Sequence, residues 1–330
     1  APTVGLLGAR DAKGIAVGSP ASDFALGFNG NALTANASAS DDFSIAFWVN
    51  AKRDANSNSI SNDVIVSLCI DHEQKLWIGS YFGGLDCFDG KRFINYRHNA
   101  ADDKSLSEDR VWEIFEDNHY NLWIGTYNGG LDKFDRGNNI FYHYKKGSNA
   151  ISSNYVVAFA EDADKNLWIG TDAGIDVLEK ASGKFVHYNT GNSKLSNNDI
   201  ISLLRDNEQN IWIGTRNGLN VYNAKNQQFQ SFGVKDGLPD NAILNILQDD
   251  NKNIWVSTFR GLSKIKAGTV NGVIKIACKN YDELDGLQSL DFNDNAAYKT
   301  RLGELIFGGA NGFNLFHPSN ITKQNFHDDS

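Results

Sequence analysis

Asp117-Asn-His-Tyr-Asn-Leu-Trp-Ile-Gly-Thr-Tyr-Asn-Gly-Gly-Leu-Asp-Lys-Phe-Asp135 holds a polar turn, a short apolar strand around a tryptophan, a glycine break and a strand of alternating character. The same pattern recurs along the chain. Trp-Ile-Gly-Ser stands at Trp77, Trp-Ile-Gly-Thr at Trp123, Trp168 and Trp212, and Trp-Val-Ser-Thr at Trp255, at intervals of 46, 45, 44 and 43 residues. A sixth copy follows 51 residues later, where Leu305-Ile306-Phe307-Gly308-Gly309 puts Ile306 in the tryptophan's place. A period in the mid-forties is the length of one four-stranded blade of a β-propeller.

Each copy divides into four strands. The first ends at Asp71, Asp117, Asp162, Asp206 or Asp249 and is almost wholly apolar, as in Ile200-Ile201-Ser202-Leu203, which suits a strand buried on both faces beside the central channel. A polar turn follows whose fifth residue is Lys75, Asn121, Asn166, Asn210 or Asn253, types that suit a left-handed turn position. The tryptophan strand comes next, then a third strand opened by glycine (Gly84-Leu85-Asp86-Cys87-Phe88), and an outer strand (Phe93 to Tyr96, Phe141 to Tyr144, Phe185 to Tyr188, Phe229 to Phe232). One blade cannot bury its own faces, so the copies must stack around a ring. One tryptophan per blade at a fixed position is what packing between blades requires, and Trp112, in an apolar column with Val66, Val157 and Ile201, is read as core as well.

The fold class is therefore all-β: a β-propeller of four-stranded blades with six clear repeats, over residues 61–318, followed by a polar tail, 319–330. Residues 1–60 form a separate N-terminal segment. Its strand Phe43 to Val49 can complete the last repeat, which shows three strands of its own. Two readings of residues 1–42 stand side by side. Val4 to Asp11, Ile15 to Ser19 and Asp23 to Phe28 overlay the first three strands of a degenerate seventh blade, with Ala16 in the tryptophan's place. Alternatively, Ala25 to Gly30 with Asp42 to Asn50 is similar to the opening strands of laminin-G-like jelly rolls.

The chain has 330 residues, a net charge of -9 and scattered basic residues, which give no footprint for nucleic acid. No apolar run approaches the roughly 20 residues of a membrane span, so membrane insertion is not expected. Cys69, Cys87 and Cys278 share no zinc-ligand spacing and read as small buried hydrophobes. Nothing in the sequence asks for a cofactor or metal.

The stretch Asp117 to Asp135, with its other copies and the closing segments Asp285-Gly-Leu-Gln-Ser289 and Gly308-Gly-Ala-Asn-Gly-Phe-Asn-Leu-Phe-His-Pro-Ser319, resembles the two-component-regulator propeller repeat of hybrid sensors from gut Bacteroides. The resemblance implies a periplasmic sensor fragment that recognises a glycan, an oligosaccharide or polysaccharide piece. It also implies, elsewhere in the full protein, an adjacent propeller or Ig-like domain, a membrane helix, a histidine kinase and a DNA-binding regulator. Self-association into a homodimer belongs to the same expectation.

The first-to-second-strand turns are stereotyped, whereas the opposite face differs from copy to copy, as a binding face would. Asp63, Asp109, Asn154, Asn198 and Asn241 form one column there and read as turn caps. The next column, Val64, Arg110, Tyr155, Asp199, Ala242 and Asn293, obeys no structural rule, and with the loop residues Tyr81, Phe82, Tyr127, Asp172, Arg216, Phe259 and Arg260 it should ring the channel mouth. Aromatic faces stack on sugar C–H groups, and Arg, Asp and Asn bond hydroxyls. The ligand-binding set is accordingly Arg110, Tyr155, Asp199, Asn293, Tyr81, Tyr127, Arg216, Phe259 and Arg260. None of the seven histidines, His72, His98, His119, His143, His187, His317 and His327, is expected at the mouth, so His-based catalysis is not supported and no catalytic residue is assigned. Two alternatives to a glycan sensor stand: a protein-protein scaffold and a carbohydrate-active enzyme working through a pair of carboxylates such as Asp172 and Asp199.

Overall fold

The computed structural model describes residues 59–321 together with the backbone of Ala16–Gly18. Six four-stranded antiparallel sheets follow one another in chain order, each running from an inner to an outer strand. In blade 2 these strands are Val111–Glu116, Leu122–Thr126, Leu131–Asp135 and Ile140–Tyr144. The molecule is a six-bladed propeller, and the first strands of all six blades line a central cavity of about 360 Å³.

The Trp-Ile-Gly motif is explained by what each of its residues touches. Trp77, Trp123, Trp168, Trp212 and Trp255 are buried, and each indole N–H donates to the aspartate that closes the preceding strand, Asp71, Asp117, Asp162, Asp206 or Asp249, at 2.8, 2.9, 3.0, 2.7 and 2.9 Å. The second oxygen of each aspartate accepts the amide of the residue four places on, which folds the turn. The glycine sits where the next blade comes closest. A Cβ on Gly125 would lie 2.7 Å from the carbonyl oxygen of Val156, in the first strand of blade 3. Blade 5 has Ser257 at this position, and its hydroxyl accepts the Asn245 amide at 2.8 Å.

The left-handed residue of the turn is the fourth and not the fifth as the sequence suggested. Gln74, Tyr120, Lys165, Gln209 and Lys252 have φ between 63° and 71°. The asparagines at the fifth place serve differently, donating their side-chain amides to the aspartate, as Asn121 does to Asp117 at 2.7 Å and Asn210 to Asp206 at 3.0 Å. Side-chain bonding to the turn and tolerance of positive φ favour the same residue types, which is why composition alone misplaced the function.

Packing runs from blade to blade. Trp77 of blade 1 meets Phe134 of blade 2 with ring centroids 5.5 Å apart, Trp168 meets Tyr222 of blade 4 at 4.8 Å, and Trp255 meets Phe316 of blade 6 at 5.0 Å. Each blade-to-blade connection inserts one buried aliphatic residue, Leu106, Ile151, Leu195, Leu238 and Leu287 among them. The third strand alternates as expected, yet its polar residues are not on a wet face. Asp86, Asp132 and Asp176 are fully buried. Asp132 receives the Ser107 amide at 2.8 Å and the His143 ring at 2.7 Å, which ties the incoming connection to the outer strand.

Gly130 opens the third strand of blade 2 at φ 93°, and a Cβ there would lie 2.4 Å from the Tyr144 carbonyl oxygen. Blade 5 departs from its siblings through a long hairpin, Gly261–Val270 with Val273–Tyr281, held to blade 4 by Gln230, whose side-chain oxygen accepts the Ile274 amide at 2.8 Å. The extra length accounts for the 51-residue interval before the last repeat.

Blade 6 takes its fourth strand from the start of the chain, Ala16–Gly18 pairing antiparallel with Gly312–Phe316. The strand expected at Phe43 to Val49, the jelly-roll-like stretch and the tail from residue 322 onward lie outside the described residues. Of the three cysteines only Cys87 is buried. Cys69 and Cys278 are partly exposed and all three are free, Cys69 lining the central cavity.

Candidate functional site

The mouth of the channel is built by a repeated irregularity. In blades 1 to 4 the first strand slips by one residue against the second, at Val66, Trp112, Val157 and Ile201. Such a bulge bends the strand and re-aims the side chains around it. Immediately before it stand Val64, Arg110, Tyr155 and Asp199, and the loop after the second strand bonds to their backbone. The amides of Tyr81, Tyr127 and Arg216 donate to the carbonyls of Val64, Arg110 and Asp199 at 2.9, 3.0 and 3.1 Å. The two divergent columns of the sequence are thereby neighbours in blades 1, 2 and 4.

One arc of the mouth is aromatic. Tyr81 lies 6.0 Å from Tyr127, Tyr127 4.8 Å from Tyr155, and Trp112 5.6 Å from Tyr155, centroid to centroid. Phe82 meets Tyr81 edge-on at 4.6 Å and is 57% exposed. The Arg110 guanidinium lies over the Tyr127 ring at 4.6 Å and also pairs with Glu108. Trp112 is thus not the core residue its apolar column suggested. It is half-buried and lines a cavity of about 290 Å³ at the mouth with Val66, Phe259, Phe292, Asn293, Asp294 and Asn295.

The other arc is charged. Arg216 Nε lies 3.3 Å from Asp199 Oδ2, and its Nη2 lies 3.5 Å from Asp294 Oδ2. Burial holds the Asp294 carboxyl above its usual range, opposed by Arg216. The Tyr155 hydroxyl, raised first by burial and then by the negative field of Asp294, keeps its proton and feels the charges of the other arc. Arg260 pairs with Asp240 at 3.6 Å on the outer rim, its side chain 74% exposed.

Of the residues expected from sequence, Tyr81, Arg110, Tyr127 and Tyr155 are joined by ring contacts, Asp199 and Arg216 by an ion pair, the Asp199 charge acts on Tyr155, and Phe259 and Asn293 line the adjoining cavity. Arg260 stands apart with Asp240, Asp172 is exposed, and Ala242 is buried and has no face at the mouth. The cap column behaves as structure: Asp109, Asn154, Asn198 and Asn241 each accept an amide of the preceding connection, at 2.7 to 2.9 Å.

Sequence reasoning missed Asp294 and Asn295. In blade 6 the register breaks across Phe292 to Ala297, so Asn293, Asp294 and Asn295 all reach the mouth. The signal was the run of three polar residues where other first strands are apolar. Asn295 also forms the floor, donating to the Trp112 carbonyl at 3.0 Å and to Glu113 Oε2 at 2.6 Å. On the opposite face Asp117, His119 and Glu161 offer ligand atoms within 4.8 Å of one another. Their carboxylates are already engaged, Asp117 by Trp123 and Asn121, and Glu161 by Asn118 and Lys165.

The two component regulator propeller model matches residues 59–82, 105–128, 150–173, 194–217 and 237–260. Among solved structures, the extracellular domain of a hybrid two component system of B. thetaiotaomicron is 29% identical, with a TM-score of 0.57 over 80% of this chain and 40% of that one. The extracellular domain of a one component system from the same organism is 22% identical, with a TM-score of 0.57 over 85% of this chain and 42% of that one. The chain therefore spans less than half the length of these two. Virginiamycin B lyase of Staphylococcus aureus, with quinupristin, has a TM-score of 0.58 over 77% of this chain and 80% of its own, at 11% identity, a likeness of fold alone. No curated protein matches the sequence. Among the described residues no helix is long and apolar enough to cross a membrane.

Proposed function

Starting from a chain built of two-component regulator propeller repeats and similar to the extracellular domains of two-component sensors, we propose that it is the ligand-receiving module of such a sensor and that its channel mouth binds a saccharide in the periplasm. One observation carries this reading: the same opening carries an aromatic arc, Tyr81, Trp112, Tyr127 and Tyr155, and a hydrogen-bonding cluster, Asp199, Arg216 and Asp294, with Tyr155 in the field of both aspartates. Sugar rings present an apolar face of C–H groups and a rim of hydroxyls, and an arc of each kind around one opening meets both.

The test is calorimetry of the purified chain against a panel of oligosaccharides, repeated with Arg110→Ala and Tyr155→Ala. Heat that either variant abolishes, with an unchanged melting temperature, supports the reading. No heat from any sugar, together with a stable complex with another protein or a second copy, would favour a scaffold. Product formation that Asp199→Asn removes would instead favour an enzyme.

A further inference from the structure

A saccharide with acidic groups is normally held by guanidinium forks that are free to bond it bidentately. Arg110 and Arg216 at the mouth, and Arg260 and Arg97 around it, each already have a carboxylate of their own: Arg110 has Glu108, Arg216 has Asp199 and Asp294, Arg260 has Asp240 and Arg97 has Asp109. Asp172 adds a further carboxylate in the same ring of loops. No lysine occurs in the residues that begin the first strands (62–66, 108–112, 153–157, 197–201, 240–245 and 290–295), nor in the second-to-third-strand loops.

Charge bookkeeping at the Asp199–Arg216–Asp294 cluster decides the matter. Asp199 and Asp294 share a single guanidinium, so this cluster is one negative charge in excess. A carboxylate or sulfate on an incoming ligand would have to displace one of them from Arg216. That leaves a partly buried carboxylate without its counter-charge, beside a second anion. A hydroxyl or an amine has no such cost, since it donates to the same oxygens.

We infer that the site selects saccharides without acidic groups, neutral or amine-bearing, and excludes uronates and sulfated sugars. The inference rests on the saccharide reading above and adds the class of sugar.

The test titrates the purified chain with cellohexaose, mannohexaose, xylohexaose and chitosan hexamer, and in parallel with hexagalacturonate and a heparin hexasaccharide. At least one of the first four is expected to bind ten-fold or more tightly than either acidic sugar. In the doubly substituted protein Asp199→Asn with Asp294→Asn, which frees Arg216, binding of an acidic sugar is expected to rise ten-fold or more. Asp199→Asn alone, at a half-exposed position, gives a smaller gain in the same direction and guards against misfolding of the double variant. An acidic sugar that binds the unaltered chain most tightly, and is lost in Arg216→Ala, overturns the selectivity while leaving the saccharide reading intact. Silence from all six sugars in folded protein overturns both.

Discussion

The amide of Tyr127 donates to the carbonyl of Arg110 at 3.0 Å, and the Arg110 guanidinium returns over the Tyr127 ring 4.6 Å from its centroid. Two residues seventeen apart in sequence thus form one rigid unit, held by backbone at one end and by a charge on a π face at the other. Glu108 fixes the guanidinium from its far side. The aromatic surface offered to a ligand is therefore preorganised, which reduces the ordering cost of binding.

If that unit matters, Arg110→Ala should weaken saccharide binding about ten-fold, roughly 1.4 kcal/mol, by loosening Tyr127. Tyr127→Ala should cost at least as much. Neither should move the melting temperature by more than a degree or two, since both side chains sit at the rim. Calorimetry beside thermal melts checks the pair.

The buried indole–aspartate bonds make the opposite forecast. Asp206 accepts from Trp212, from the Asn210 side chain and from the amides of Glu208 and Asn210. Asp206→Ala leaves those donors unmet in a buried turn, and should destabilise the fold by roughly 2 to 4 kcal/mol. Ligand affinity should not change, because the turn lies on the face away from the mouth. Urea denaturation and a sugar titration separate the two effects.

Gly125→Ala probes the closeness of the blades. The added methyl would lie 2.7 Å from the Val156 carbonyl oxygen, so blades 2 and 3 must part, at a cost of about 1 to 3 kcal/mol in urea unfolding. Ser257→Gly, at the equivalent place in blade 5, should be milder, since it removes one hydrogen bond from Asn245 and adds no contact.

Stability should also fall as pH rises from about 4.5 to neutrality. Burial pushes the Glu113 carboxyl up from 4.5 to about 7, with Ser67 and Asn295 acting the other way. By surface area Glu113 is half-buried, and its open part faces the narrow channel, not bulk water. Below pH 4.5 folded and unfolded chains both hold the proton. Between 4.5 and 7 only the folded chain does, so stability declines across that window and levels off above it, by at most about 3 kcal/mol. Asp86 and Asp176 are raised by burial too, so the reading is a difference: Glu113→Gln should be more stable than the natural chain at pH 8 and equal to it at pH 4.

The sequence made the blade legible because a strand period of two and a repeat of forty-odd residues are both set by backbone geometry. The channel-mouth columns were legible for a related reason: where everything structural repeats, side chains that refuse to repeat stand out, and Arg110, Tyr127, Tyr155, Asp199 and Arg216 did. What stayed hidden depends on local departures from the period. Trp112 looked apolar and therefore buried, but a bulge turns it toward the opening. Asp294 and Asn295 reach the site only because the register of blade 6 breaks. The burial of Asp86, Asp132 and Asp176 is not legible, since alternation tells the face of a sheet and not whether another element covers it. The pattern does mark a strand at Ile15 to Ser19, but it assigns that strand to a seventh blade, whereas Ala16–Gly18 pairs with Gly312–Phe316 as the fourth strand of blade 6, a pairing between chain ends that no local pattern encodes.

Trp112 permits the most direct measurement. Among the described residues the other five tryptophans, Trp77, Trp123, Trp168, Trp212 and Trp255, are buried between blades, with their indole N–H groups bonded to aspartate. In an NMR titration with a bound oligosaccharide, one indole N–H resonance should shift, and that resonance should be absent from Trp112→Phe. Binding heat accompanied by no shift at Trp112, or by shifts at the buried indoles alone, would contradict a saccharide site at the channel mouth.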